Sequence, residues 1–174
     1  MLKELLVSIS IIATPIPKDI PKGEPRQEYI KQQAICLTNN VYHEARSEGS
    51  AGQLAVMAVT LNRVKDTRFP NTVCEVVHEG QHKPSWQDKT RMIPVRNRCQ
   101  FSWYCDGNPE KIRNQKAWDA IYLLSYEIIS GNIKLIDLTD GATHYHANYV
   151  SPSWARTKKR TVTIENHIFY RWEK

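Results

Sequence analysis

The sequence predicts an α+β domain, helical in its N-terminal part and closed by a small antiparallel β-sheet at its C-terminal end. Three observations carry this. Between residues 34 and 65 apolar side chains recur at helical spacing in two runs that meet at Ser47-Glu48-Gly49. A further helical run holds Trp118, Ile121, Tyr122, Ser125, Ile128 and Ile129, ends at Gly131, and reads as core, with Trp118 a packing residue. Beyond residue 142 the period changes, and Thr161-Val162-Thr163-Ile164 and His167-Ile168-Phe169-Tyr170 read as strands around a tight Glu165-Asn166 turn.

The 174 residues suit one domain with enough chain to bury a core. Hydrophobic residues at 41% and charged ones at 24% are ordinary for a globular protein. A formal net charge of +6 and a pI near 9.2 point to an anionic partner: nucleic acid, acidic lipid or bacterial wall polymer. Charge alone does not choose among them.

Taken in order, the chain opens with Leu5-Leu6-Val7-Ser8-Ile9-Ser10-Ile11-Ile12-Ala13 behind Lys3, compatible with the core of a secretory signal. Glu4 and the lack of an Ala-x-Ala site speak against it, and the run is too short for a membrane span. Pro15, Pro17, Pro21, Pro25 and Gly23 make residues 14–27 an extended linker. The division expected is a leader and Pro-rich linker at 1–27 and a folded domain at 28–174.

At about 100° per residue, Ala34, Leu37, Val41 and Ala45 form one apolar stripe, and Glu44 falls roughly 60° from its centre line. Gly49 is a natural stop for this helix, which places Glu44 in its last turns. A Glu near a helix end is commonly a solvated surface group. At the edge of a core, however, partial desolvation and the negative end of the helix dipole both push its pKa upward, as a general acid at neutral pH requires. Ser50 and Gln53 read as a capping box opening the next helix, whose Leu54, Met57, Ala58 and Leu61 share a face.

Thr72 and Glu75 give a second capping box, opening a short helix that ends near Gly80. Residues 81–98 read as a long polar loop carrying Lys83, Lys89, Arg91, Arg96, Arg98 and Trp86. That composition suits an anionic ligand or the apolar face of a sugar, and equally a solvated loop. Asn108-Pro109 reads as an N-cap followed by proline at the first helical position. Lys158-Lys159-Arg160 reads as a solvated turn. Cys36, Cys74, Cys99 and Cys105 allow three complete pairings. A Cys74–Cys99 bridge would staple the basic loop in an oxidising compartment, and Cys36 on its apolar helix suits a buried free thiol.

Several stretches resemble the SleB/CwlJ cell wall hydrolase family: Val41-Tyr42-His43-Glu44-Ala45-Arg46-Ser47-Glu48-Gly49, Gly52-Gln53-Leu54-Ala55-Val56-Met57-Ala58-Val59, Leu61-Asn62-Arg63-Val64 and Phe69-Pro70-Asn71-Thr72-Val73-Cys74-Glu75-Val76-Val77. Cys99-Gln100-Phe101-Ser102-Trp103, Ala142-Thr143-His144-Tyr145-His146-Ala147 and Ile164-Glu165-Asn166-His167-Ile168-Phe169-Tyr170-Arg171 continue it, in order, over about residues 34–172. The family pattern has glycine where this chain has Glu165. The resemblance implies a lysozyme-like fold and a peptidoglycan glycosidase with Glu44 catalytic. Gln100 and Ser102 carry over as substrate contacts, and Tyr145 and His146 as groups facing the same cleft. Many members carry a wall-binding module ahead of this domain. The leader is too short to be one, so wall affinity would come from the domain's basic surface.

Glycosidic cleavage needs a proton for the leaving oxygen and then a second carboxylate or a nucleophile from the substrate itself. Glu48, one turn beyond Glu44, reads as a structural partner of Arg46 or of the next helix's N-terminus. One acid without a partner favours a lytic transglycosylase with no cofactor and no metal, with muramidase hydrolysis the near alternative. A zinc-dependent amidase or peptidase would use His43, His144 and His146 with Glu44 as base, His-x-His on a strand placing both rings on one face. Cys74, His78, Cys99 and Cys105 fit no familiar structural zinc spacing. Nucleic-acid binding has only the charge in its favour. The expected protein is a monomer acting on glycan strands, without nucleic acid or a stable membrane span. It would be exported to the periplasm or wall, or released there during phage lysis.

Overall fold

The computed structural model describes residues 10–12, 16 and 20–173; the leader at residues 1–9 and residue 13 lies outside these. The first long element is α1 (Glu24–Ala45), with Pro25 in its first turn. Helix therefore begins inside the stretch expected to be extended, because proline is tolerated where the first backbone N–H groups have no helical partner. The stripe Ala34, Leu37, Val41 and Ala45 is wholly buried, on a helix that packs chiefly against α4 (Gln115–Ser130) and less extensively against α2 (Ser50–Lys65).

Helix α2 is buried nearly all round, since Ala55, Val56, Met57, Ala58, Val59, Thr60 and Leu61 are all inaccessible. A helix apolar on every side must lie between layers. Met57, Ala58 and Leu61 join the helical core with α1, whereas Ala55 and Val59 meet Phe169 and Ala142 of the sheet region. That sheet has the order β5-β7-β6, with β5 (His144–Ala147) and β6 (Lys159–Ile164) both antiparallel to β7 (His167–Arg171). Lys159 and Arg160 thus belong to a strand and not to a turn. Two small ribbons complete the sheets: β1 (Ile11–Ile12) with β4 (Leu135–Ile136), and β2 (Gly80–Pro84) with β3 (Met92–Cys99). The basic stretch read as a loop is the β2–β3 hairpin.

Local chemistry explains where elements start. The Thr72 box forms as expected, with the Glu75 N–H donating to Thr72 Oγ1 at 3.3 Å and the Thr72 hydroxyl to Glu75 Oε2 at 2.7 Å, opening α3 (Val73–Val77). Helix α4 is capped by Asn114 and not by Asn108, because the buried Tyr42 hydroxyl accepts the N–H groups of Arg113 and Asn114, each at 2.9 Å, and fixes the start there. Gly131, left-handed at φ 84°, ends it.

The cysteines pair differently from expectation. Cys36 is bonded to Cys74 and Cys99 to Cys105. Gln33 of α1 accepts the Cys74 N–H at 3.0 Å, docking the start of α3 beside Cys36. The 3₁₀ turn Ser102–Tyr104 folds Cys105 back onto the end of β3, where Cys105 O accepts the Asn97 N–H at 2.9 Å.

Candidate active site

Glu44 stands in the last turn of α1 and is half-buried. The Tyr145 hydroxyl, reaching in from β5, donates to Glu44 Oε2 at 2.7 Å. Burial pushes the Glu44 carboxyl above its usual range, while the Tyr145 hydrogen bond and the charge of Arg63 pull part of the way back. Burial, and then Glu44 itself, raise Tyr145 well above an ordinary phenol, so it keeps its proton and stays a donor.

Strand β5 is placed by α2. Asn62 Nδ2 donates to Ala142 O and to Asp137 Oδ2, each at 3.0 Å, and Arg63 Nε donates to Thr143 O at 2.7 Å. Asp137 also accepts from the backbone of Thr139 and Gly141, closing the turn before β5. Arg63 is itself buried, with its guanidinium over the rings of Phe69 and Phe101. Near it lies Glu79, likewise raised by burial with Arg63 opposing. Arg63 Nη1 and Glu79 Oε2 are buried and make no hydrogen bond within the described protein.

The corner after Glu44 differs from expectation. Helix α1 ends at Arg46 in an ordinary helical conformation, and Gly49 is extended, the N-cap residue of α2. The Ser50–Gln53 box does not form. Glu165, in the distant β6–β7 turn, accepts from the N–H groups of Gly49 at 2.6 Å and Gly52 at 3.2 Å, so α2 is capped in trans along the chain. A Cβ at 49 would stand 2.8 Å from Glu165 Oε1, so a larger residue there would push the capping carboxylate aside. Glu48, expected to pair with Arg46 or the N-terminus of the next helix, instead accepts from Asn166 Nδ2 at 3.1 Å.

Of the residues singled out from the sequence, Glu44 and Tyr145 are in direct contact. Gln100 and Ser102 are exposed and flank Phe101, which lies under Arg63, and the Gln100 N–H donates to Glu79 O at 2.9 Å. Trp103 follows, stacked on His43 at 4.7 Å with its Nε1 donating to Asn40 Oδ1 at 3.0 Å. His146 is not brought to Glu44. As the neighbour of Tyr145 on a strand it faces the other way, where it meets Tyr170 Oη at 3.0 Å and shares Trp154 with His144. His144, held down to about 3 by burial and then by surrounding cations, stays neutral there.

The two histidines do share a face, but His43 lies on α1, stacked on Trp103 of the 3₁₀ turn, and the three are not assembled. Among the described residues no group of three or more His, Cys, Asp or Glu is placed to hold a metal ion, and no helix is long and apolar enough to cross a membrane. Arg63, Glu79 and Glu165 were missed as site residues. The sequence signal for Arg63 was a cation among Val59, Leu61 and Val64 on a largely apolar helix.

The helical layer and the sheet of this α+β domain meet around a desolvated, hydrogen-bonded carboxyl, an arrangement that can hold and release a proton. The chain belongs to the cell wall hydrolase family, which its residues 47–170 match. Glu44 lies just ahead of that stretch, so its role rests on geometry. The fold is that of the catalytic domain of the Bacillus cereus SleB protein: TM-score 0.56, 27% identity, covering 90% of this chain and 98% of that one. The catalytic domain of the germination-specific lytic transglycosylase SleB from Bacillus anthracis gives TM-score 0.56 and 25% identity, covering 90% and 100%. The spore cortex-lytic enzyme of Bacillus cereus is 29% identical over 152 residues, 87% of this chain and 47% of the relative. That of Oceanobacillus iheyensis is 29% identical over 150 residues, 86% and 45%. The chain spans about half the length of these curated relatives.

Proposed function

We propose that this chain is a lytic transglycosylase that cleaves the MurNAc–GlcNAc bond of peptidoglycan outside the cytoplasm. The observation that carries the reading is the half-buried Glu44 carboxyl, held above its ordinary pKa with a hydrogen bond from Tyr145. Protonated Glu44 donates to the glycosidic oxygen, and the bond from MurNAc C1 to that oxygen breaks. The resulting carboxylate then takes the proton of the MurNAc 6-hydroxyl as that oxygen bonds to C1, leaving a 1,6-anhydro end and regenerating the acid. Tyr145 steadies the carboxylate between the two proton transfers. The hydrogen bond from Asn166 to Glu48 supports reading Glu48 as a structural group of the corner, leaving Glu44 as the one catalytic carboxyl. The Bacillus anthracis SleB protein, whose catalytic domain shares this fold, is a lytic transglycosylase, which supports the same reaction class here. Two disulfides agree with work in an oxidising compartment. The relatives compared are bacterial spore enzymes and lend no support to a phage lysis role.

Mass analysis of muropeptides from purified sacculi tests this. Wild type is expected to release anhydro-muramic ends, and Glu44→Gln to lose roughly 10²–10⁴-fold of that activity. Ordinary reducing ends would mean muramidase hydrolysis, and cut stem peptides would end the glycosidase reading.

A further inference from the structure

The β2–β3 hairpin stands out because little of it is buried by the domain that carries it. All five residues of β2 are exposed, and β3 is exposed or half-exposed throughout. A lone two-stranded ribbon is marginal in water, yet this one is anchored at its base. The Cys99–Cys105 bridge ties β3 to the 3₁₀ turn, Asn97 N–H donates to Cys105 O at 2.9 Å, and Arg96 Nε donates to Asp106 O at 3.1 Å. The ribbon is held out from the surface and not collapsed on it.

Its chemistry is one-sided. Residues 80–99 carry Lys83, Lys89, Arg91, Arg96 and Arg98 against Asp88 alone, and Asp88 Oδ1 is occupied by the Thr90 N–H and hydroxyl in the tip turn. Lysines on an edge strand can serve only to block aggregation. Trp86 argues otherwise, since a tip indole 79% exposed works against that purpose. The ribbon also leads to the active site through rings: His82 lies 6.2 Å from Tyr104, Tyr104 6.1 Å from Trp103, and Trp103 stacks on His43, beside Glu44.

We propose that the β2–β3 ribbon is a docking arm for the stem-peptide carboxylates of peptidoglycan, received by Lys83, Lys89 and Arg91 with Trp86 packed against the chain. The inference rests on the peptidoglycan reading above. Stem peptides branch from the glycan being cut, so an arm continuous with the site meets them at high local concentration. Teichoic phosphate is the other anionic source, and the test separates it.

The measurement is retention of the inactive Glu44→Gln protein on teichoic-acid-free sacculi, with and without Lys83→Gln, Lys89→Gln and Arg91→Gln together, and separately with Trp86→Ala. Unfolding midpoints check that each variant is folded. The triple variant is expected to bind about tenfold more weakly at low salt and to lose most of the salt dependence of its parent. On glycan stripped of stem peptides by an amidase, the difference between parent and variant is expected to shrink. Equal retention on sacculi would overturn the proposal, as would a difference that emerges only when teichoic polymer is restored. Because binding is read without cleavage, a wild type that forms no anhydro ends would defeat the reaction and leave this result to stand by itself.

Discussion

At the residue scale, the pair Glu44 and Tyr145 fixes the direction of two predictions. Tyr145 stabilises the charged form of Glu44 and so lowers its pKa. Tyr145→Phe removes that hydrogen bond, and the alkaline limb of the activity profile, where the acid loses its proton, is expected to move to higher pH with a lower maximal rate. An unmoved limb would disconnect the phenol from the acid. For stability the sign is opposite to that of a salt-bridged carboxylate. Because burial raises the folded-state pKa of Glu44, folded protein holds the proton more tightly than unfolded chain. Stability contributed at this site is lost as pH rises from the ordinary carboxyl value through the raised one. Glu44→Gln is therefore expected to be at least as stable as wild type at neutral pH while inactive, as thermal unfolding would show. A large loss of stability would mark Glu44 as a structural residue.

At the scale of elements, the β6–β7 turn and the N-terminus of α2 form one device. Glu165 takes a left-handed φ of 49°, where an L side chain costs about 1–2 kcal/mol, and its carboxylate caps α2. Glu165→Ala keeps the strained backbone and loses the cap, so a loss of about 1–2 kcal/mol is expected in denaturant unfolding. Glu165→Gly loses the cap but relieves the strain, and is expected to be milder by about 1 kcal/mol. Equal effects would mean that the turn conformation matters little. Such long-range capping is what a sequence conceals. The Thr72 box was legible because both partners lie within one turn of helix, and the β6–β7 hairpin because its alternation and turn are local. The Ser50–Gln53 box satisfied the same local rule and was displaced by a carboxylate 113 residues further on. Arg63 and Glu79 escaped for a like reason, since the placing of Arg63 near both Glu44 and Glu79 exists only once the elements that carry them have packed.

At the scale of the whole molecule, two layers of structure converge on one carboxyl: α1 carries it, α2 aligns β5 through Asn62 and Arg63, and β5 delivers Tyr145. The Cys36–Cys74 bridge closes a 38-residue separation between α1 and α3. Its reduction is expected to cost about 2–4 kcal/mol, seen as a lower unfolding midpoint in reductant. A midpoint unchanged by reductant would deny the bridge a stabilising role. The measurement closest to the centre of this architecture is a ¹³C-detected titration of the Glu44 carboxyl, assigned by comparison with Glu44→Gln. A midpoint above the ordinary 4.5 is the expected result; a midpoint at or below it would show a carboxyl that has already given up its proton at neutral pH, and would contradict a catalytic acid at this position.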